Sequence, residues 1–417
     1  MAGHIQDRWF KTETTATGRT VRAKTDRHGT GLRYRARYIG PDGTEKSKSF
    51  PDGQKRLADQ WLAHIEADMS RGQYLDPSAG RVTFRQYAEK WLSTQTTDMT
   101  TRESVESAIR GHAIPYLGSR PLGSFKPEHI RDWLSELEQA VHASSYRRVI
   151  YNNVSTVLNA AVDDGHLTKN PCHAQSVRPP AAGTGRIVPW GAERIFAVRA
   201  ALPERYHAAV DLGGGCGLRQ GEIFGLPVEG IDLDSGWLHV ANQVKVTKGG
   251  LVSAAPPKRS KERDVPLPDR VAHILKQHME TFPPVDVTLP WLRPDGPSIT
   301  KRLLFTRLDG KGAVRRTDFN DRAWKPALVA AGVIPVPKQG ERYQAAREHG
   351  MHALRHFYAS VLLDAGENVK VLSNYLGHND PGFTLRVYTH LMPSSDARAR
   401  KAVDGLYEGI DSTPNTS

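Results

Sequence analysis

Cys216-Gly217-Leu218-Arg219-Gln220-Gly221-Glu222-Ile223-Phe224-Gly225-Leu226 is the stretch on which the reading of this 417-residue chain turns. A glycine-rich turn enters a helix there, and Arg219 sits at the junction. Glu222 lies one turn on, placed to hold the guanidinium still. A guanidinium held this way presents a planar fork that matches two phosphate oxygens. Taken alone, the pattern is more often a surface arginine–glutamate pair, so its meaning depends on what accompanies it.

Three later segments share its chemistry. Lys258-Arg259-Ser260-Lys261-Glu262-Arg263 reads as a basic turn leading into a strand over Asp264 to Leu267. A lysine at such a hairpin tip can reach a minor groove and give a proton to a leaving oxygen. In His352-Ala353-Leu354-Arg355-His356, His352 and Arg355 stand at i and i+3 on one helix face, where both can bond one phosphate. No carboxylate lies at ligand spacing there, which argues against a metal site. Leu376-Gly377-His378-Asn379-Asp380 places a Gly-His at a helix end, ten residues before Tyr388. A basic loop and a core tyrosine are the ordinary readings of the lysine turn and of Tyr388 taken singly. Four such segments in one domain are not ordinary.

Working outward, everything from about Arg186 reads as one α-rich domain, set off by Asn170-Pro171 and by Pro179 to Gly183. From Val82 to about Gly165 the pattern is helical. Phe84, Tyr87, Trp91 and Leu92 share one face, and Pro115 and the Gly118–Gly123 stretch are expected to break the run. Ser124 is read as an N-cap with Glu128 in the first turn behind it. A helix over Tyr146 to Val162 follows. Residues 71–82 read as a linker. Before it, Leu32 to Tyr38 alternates at period two, which puts Arg33, Arg35 and Arg37 on one strand face. Gly40-Pro41-Asp42-Gly43 signals a turn, Lys46 and Lys48 alternate along a returning strand, and Leu57 to Met69 repeats at helical spacing. A small sheet with a basic outer face, covered by one helix, is expected. The fold class is therefore mainly α with small β-sheets.

Composition agrees with a polyanionic partner. The net charge is +12, and residues 1–50 carry 11 Lys/Arg against 5 Asp/Glu, a balance that suits nucleic acid or an anionic membrane surface. Cys172 and Cys216 stand in no CxxC pattern, so two reduced core thiols are expected rather than a disulfide framework or a zinc site. No apolar run approaches the ~20 residues of a membrane helix, and residues 1–11 lack a signal-peptide h-region. A soluble intracellular protein is the expectation.

Arg219, Lys258, His352-x-x-Arg355, Leu376-Gly377-His378 and Tyr388, in that order, resemble the tyrosine recombinase (phage integrase) family at motif level from about Arg186 to Leu391. The polar stretch Pro335–Gly350 is a local departure and is expected to form an extended loop. The resemblance implies three domains: residues 1–75 as an arm-type DNA-binding module, 81–175 as a helical core-binding (SAM-like) domain, and 186–417 as the catalytic domain. It implies DNA cleavage and rejoining through a 3′-phosphotyrosine. Tyr388 would attack, with its pKa lowered by a cationic pocket. Arg219, Arg355, His352 and His378 would stabilise the phosphate, with Glu222 in support. His352, with a water as rival, would take the Tyr388 proton, and Lys258 would protonate the 5′ oxygen. Arg33, Arg35, Arg37, Lys46 and Lys48 are the candidate DNA contacts of the first module. No cofactor and no metal is expected, so activity should survive excess EDTA.

The partners so implied are double-stranded DNA at core-type and arm-type attachment sites, a homotetramer on that DNA, and an accessory DNA-bending protein and an excisionase. The segment Ser394 to Tyr407 would pack on a neighbouring protomer, or else on its own domain. The cytoplasm of a bacterial host, with nucleoid association, is the implied location. Integration and excision of a mobile element is the preferred outcome. A type IB topoisomerase, a housekeeping dimer-resolving recombinase and a non-catalytic DNA-binding regulator are the alternatives.

Overall fold

The computed structural model describes residues 3–14, 19–71, 74, 76, 79–183, 187–343, 347–378, 380–388, 400, 403 and 404. The chain divides into two compact units, Met1–Thr184 and Gly185–Ser417.

In the first unit, the strand Tyr34–Ile39 lies between His4–Asp7 and Glu45–Phe50 in an antiparallel sheet. The helix Lys55–Ser70 covers one side. Tyr34, Ala36, Tyr38 and Phe50 from the sheet pack with Ala58, Leu62 and Ile65 from the helix, as period-two and helical spacing require. Leu32 lies before the strand and is exposed. A second hairpin, Phe10–Thr14 with Thr20–Lys24, was not anticipated. Its strands are polar and mostly exposed, so no apolar alternation announces it.

The expected basic outer face needs correction. Cross-strand partners share a face, and the register sets Lys48 opposite Ala36 and Lys46 opposite Tyr38. Both lysines therefore stand on the helix-covered side. Lys46 reaches Asp76 at 2.7 Å and Asp42 at 3.0 Å. Lys48 lies over the rings of Phe50 and Trp61, its stem against the core edge. Arg33 precedes the strand and is tied to Asp7 and Asp52 at 3.0 and 2.8 Å. Arg35 and Arg37 do stand on the open face, where Arg35 Nε donates to Ser47 Oγ and Arg37 Nε to Glu45.

The helical part of this unit holds Phe84–Ser93, Met99–Ala108, Ile114–Leu117, Pro127–Ala140 and Ser144–Asp163 around a separate core. Thr83 and Gln86 cap the first of these reciprocally. Pro115 does not break the run: a widened turn, Ile109–Ala113, lies just upstream and accommodates its missing N–H within a continuous helical stretch. Nor does Ser124 cap a helix. Its hydroxyl donates to the Pro121 carbonyl, and the helix starts at Pro127 behind Lys126. Glu128 lies in its first turn, as expected.

The second unit is built on one large core drawn from the helices Ala192–Ala201, His207–Gly215, Asp269–Thr281, Lys325–Ala330 and His352–Asp364. Trp237–Val240 is the middle strand between Arg263–Pro266 and Ile231–Asp232. A smaller core lies under His352–Asp364, Val369–Leu376 and Pro381–Tyr388, and it includes Tyr388. Lys258 is not at a hairpin tip. It sits in a single turn, Lys258–Ser260, joining Val252–Ala255 to Arg263–Pro266, strands of two different sheets. The described part of the Pro335–Gly350 stretch holds one short turn, Arg347–His349, and no strand. Cys172 and Cys216 are buried free thiols. Among the described residues no helix is long and apolar enough to cross a membrane. The segment Ser394 to Tyr407, apart from residues 400, 403 and 404, lies outside the described residues, as do Asn379 and the final ten residues.

Candidate active site

Arg219 is the residue before the helix Gln220–Phe224. Its backbone N–H donates to Glu222 Oε2 and its Nη1 to Glu222 Oε1, at 2.9 and 2.8 Å. Gly217 makes the preceding turn at φ 65°, and a Cβ there would fall 2.4 Å from the Tyr358 ring, so only glycine fits. Glu222 is fully buried and serves a second arginine. Arg263 forks onto it, Nη1 to Oε1 at 3.0 Å and Nη2 to Oε2 at 2.7 Å. Burial alone would raise the Glu222 pKa. Hydrogen bonds from Arg263 and the charges of Arg263, Arg219 and Arg355 outweigh it and hold the carboxyl at about 2.

The helix Val369–Leu376 ends at Gly377 in the left-handed conformation, φ 60°. Its last carbonyls are where the arginines converge. Arg219 Nη2 donates to Leu376 O and Gly377 O, Arg355 Nη2 to Leu376 O, and Arg263 Nε to Tyr375 O. The negative end of the helix dipole thus holds three guanidiniums together. Arg355 Nη1 also donates to Gly217 O at 2.7 Å. The Arg355 side chain is buried, and its Nε finds no acceptor among the described residues. Burial and the nearby Arg219 charge push its pKa down to about 9. A phosphate oxygen would supply both an acceptor and a countercharge.

Both histidines join this cluster. His378 Nδ1 lies 2.7 Å from Thr384 Oγ1, and burial, then Arg355 and Arg219, depress its pKa to about 3. His352 starts the helix His352–Asp364 and is exposed. Its ring meets that of His356 edge-on at 4.6 Å. Tyr388, at the end of Pro381–Tyr388, is 1% exposed, and its hydroxyl lies 2.7 Å from His356 Nδ1. The expected lowering of the Tyr388 pKa is overturned in the DNA-free protein. Desolvation raises it to about 12 and outweighs Arg355 and Arg219, which act downward. The resting phenol keeps its proton.

Arg219, Glu222, His352, Arg355, His378 and Tyr388 are thus brought together, whereas Lys258 is not. It is exposed and makes no hydrogen bond or ion pair with the cluster among the described residues. Lys261 reaches the site instead, Nζ donating to His378 O at 2.6 Å. Sequence reasoning missed three participants, Lys261, Arg263 and His356. A signal existed for Arg263, because strand alternation puts it on the buried side with Val265.

Residues 191–394 match the phage integrase family, and residues 83–138 match the phage integrase N-terminal SAM-like domain. The two matches cover more than half of the chain. The chain belongs to the phage integrase family. It is a site-specific tyrosine recombinase of the mobile-element type. A putative prophage phiRv2 integrase of Mycobacterium tuberculosis is 24% identical over 94% of the recombinase and 99% of that relative. A tyrosine recombinase XerC-like protein of Caldanaerobacter subterraneus subsp. tengcongensis is 26% identical over 78% and 84% of the two chains. Among solved structures, the Tn1549 transposon integrase in complex with a circular intermediate DNA superposes with a TM-score of 0.63 at 20% identity. That likeness covers 78% of the recombinase and 99% of that chain. A lambda integrase tetramer bound to a Holliday junction gives 0.50 at 18% identity, covering 83% and 93%. These two likenesses show a shared fold.

Proposed function

We propose that the recombinase cleaves and rejoins duplex DNA through Tyr388, with integration and excision of a mobile element as the outcome. The observation that carries this is the convergence of Arg219, Arg355, His352 and His378 beside a buried tyrosine hydroxyl. A phosphodiester resists attack because its oxygens repel a nucleophile. Arg219 and Arg355 neutralise the charge that grows on the non-bridging oxygens as phosphorus becomes pentacoordinate. The two histidines add hydrogen bonds to the same oxygens. To do so, the arginines exchange carbonyl partners at the helix end for phosphate oxygens, a stronger, charge-assisted bond. Glu222 and Arg263 position Arg219. Lys258 gives a proton to the departing 5′ oxygen once its turn closes on DNA. The bond energy stays in the phosphotyrosine, so rejoining needs no ATP.

The assembly is a tetramer on two duplexes, by likeness to the lambda integrase on a Holliday junction. Residues 1–75 serve arm-type sites, 81–175 and 186–417 serve core-type sites, and accessory bending and excision proteins set direction. Its place of work is the host nucleoid. The near full-length likeness to the phiRv2 integrase, first module included, favours integration over the housekeeping role suggested by the XerC-like relative. The test is Tyr388→Phe on a nicked trapping substrate. The variant should bind its core site and form no covalent adduct, and an adduct in that variant would refute Tyr388 as nucleophile.

A further inference from the structure

The Tyr388 hydroxyl must shed its proton as it attacks, and among the described residues the group hydrogen-bonded to that hydroxyl is His356. Its Nδ1 lies 2.7 Å from Tyr388 Oη, within the reach a general base needs. The tyrosine is 1% exposed, so bulk water has poor access to the hydroxyl. His352, which the motif suggests for this task, starts the same helix one turn earlier and stands exposed, its ring 4.6 Å from that of His356. We propose that His356 is a catalytic residue that accepts the Tyr388 proton during cleavage and returns it during rejoining. This rests on Tyr388 being the nucleophile. His352 then acts at the phosphate and on the solvent side of His356.

The step balances. The Tyr388 Oη–H bond breaks and its proton moves to His356 Nδ1, while the Oη–P bond forms. The P–O5′ bond breaks, and the 5′ oxygen takes a proton from the lysine acid. Rejoining reverses each movement. No oxidant or co-reactant is involved.

The charged and titratable groups around the pair explain why the proton stays put until DNA arrives. Arg355 and His352 flank His356 on its own helix, Tyr388 faces it from Pro381–Tyr388, and Arg219 acts on Tyr388 from the turn before Gln220. Burial, then Arg355, depresses the His356 pKa to about 4, so the imidazole is neutral and able to accept. With Tyr388 near 12, transfer is strongly uphill at rest. Phosphate binding and then bond formation shift this balance. The phosphate's negative charge offsets Arg355, which raises the imidazole, and bond formation to phosphorus makes the phenolic proton acidic. A base that is inert in the free enzyme thus becomes competent only as the bond forms.

The experiment is single-turnover cleavage of a nicked core-site substrate by the full chain, across pH. His356→Asn keeps an acceptor near Nδ1 yet cannot take a proton. It should bind DNA normally and cleave 10²- to 10⁴-fold more slowly near pH 7, the usual range for a lost general base. Its rate should climb about tenfold per pH unit where wild type levels off, because hydroxide then does the work. His352→Asn should be slower than wild type but keep the levelling. A His356→Asn rate within about threefold of wild type, or loss of the levelling in His352→Asn instead, overturns the proposal. Should His356→Asn fail to fold, the His352→Asn profile still decides. A Tyr388→Phe protein that forms an adduct would instead sink the nucleophile itself, a separate outcome.

Discussion

Glu222→Gln keeps the shape of the side chain and removes its charge. That charge is fully buried between Arg219 and Arg263. The carboxyl sits at about 2 in the folded protein against an ordinary 4.5, which corresponds to roughly 3 kcal/mol favouring the ionised form. Removing one partner of a buried pair costs about 3–5 kcal/mol, so the two figures agree. In a unit of this size each kcal/mol moves Tm by about 2–4 °C, so the second unit should melt roughly 6–12 °C lower at pH 7. The pH dependence has a fixed sign. A carboxyl whose folded pKa lies below its unfolded one stabilises above the unfolded value, and that stability is lost as pH falls through the folded value. The gap between wild type and Glu222→Gln should therefore be constant from pH 8 to about 5 and narrow below about 4.5. Differential scanning calorimetry of both proteins reads it directly. A gap under about 2 °C at pH 7, or one that widens on acidification, would refute the claim that this carboxylate holds the cationic cluster together.

Other outcomes follow from the same geometry. Lys258→Ala should cleave slowly, and a 5′-phosphorothiolate leaving group, which needs no proton, should restore its rate. If Lys261→Ala shows that rescue and Lys258→Ala does not, the acid is the lysine already bonded to the His378 carbonyl. Deleting residues 1–75 should leave cleavage of core-site DNA largely intact while integrative recombination fails in a plasmid assay. Equal loss of both would count against separate arm and core functions.

Much of the fold is legible because it follows from local periodicity. Tyr34, Ala36 and Tyr38 turn inward because a strand alternates, and Ile150, Val154 and Leu158 line the helix Ser144–Asp163 because a helix repeats near 3.6. The polar hairpin Phe10–Thr14 with Thr20–Lys24 carries neither signal. The faces of Lys46 and Lys48 depend on register across a turn, which alternation within one strand does not specify. Pro115 misleads because a widened turn upstream absorbs its missing hydrogen bond.

The sequence by itself determined which chemical groups are present and in what order: two arginines, a lysine, two histidines and Tyr388. The arginines and histidines are tied to a glycine turn or a helix start, whereas Lys258 lies in a basic turn and Tyr388 at a helix end; residue type and short spacing fix all of these. Only the tertiary structure decided which groups meet. It brought Arg219 and Arg355 to the carbonyl end of the helix Val369–Leu376, across 157 and 21 residues of chain. It placed Arg263 beside Glu222 and His356 against Tyr388. It also reversed the expected shift at Tyr388, because desolvation depends on everything packed around a group rather than on its neighbours in the chain.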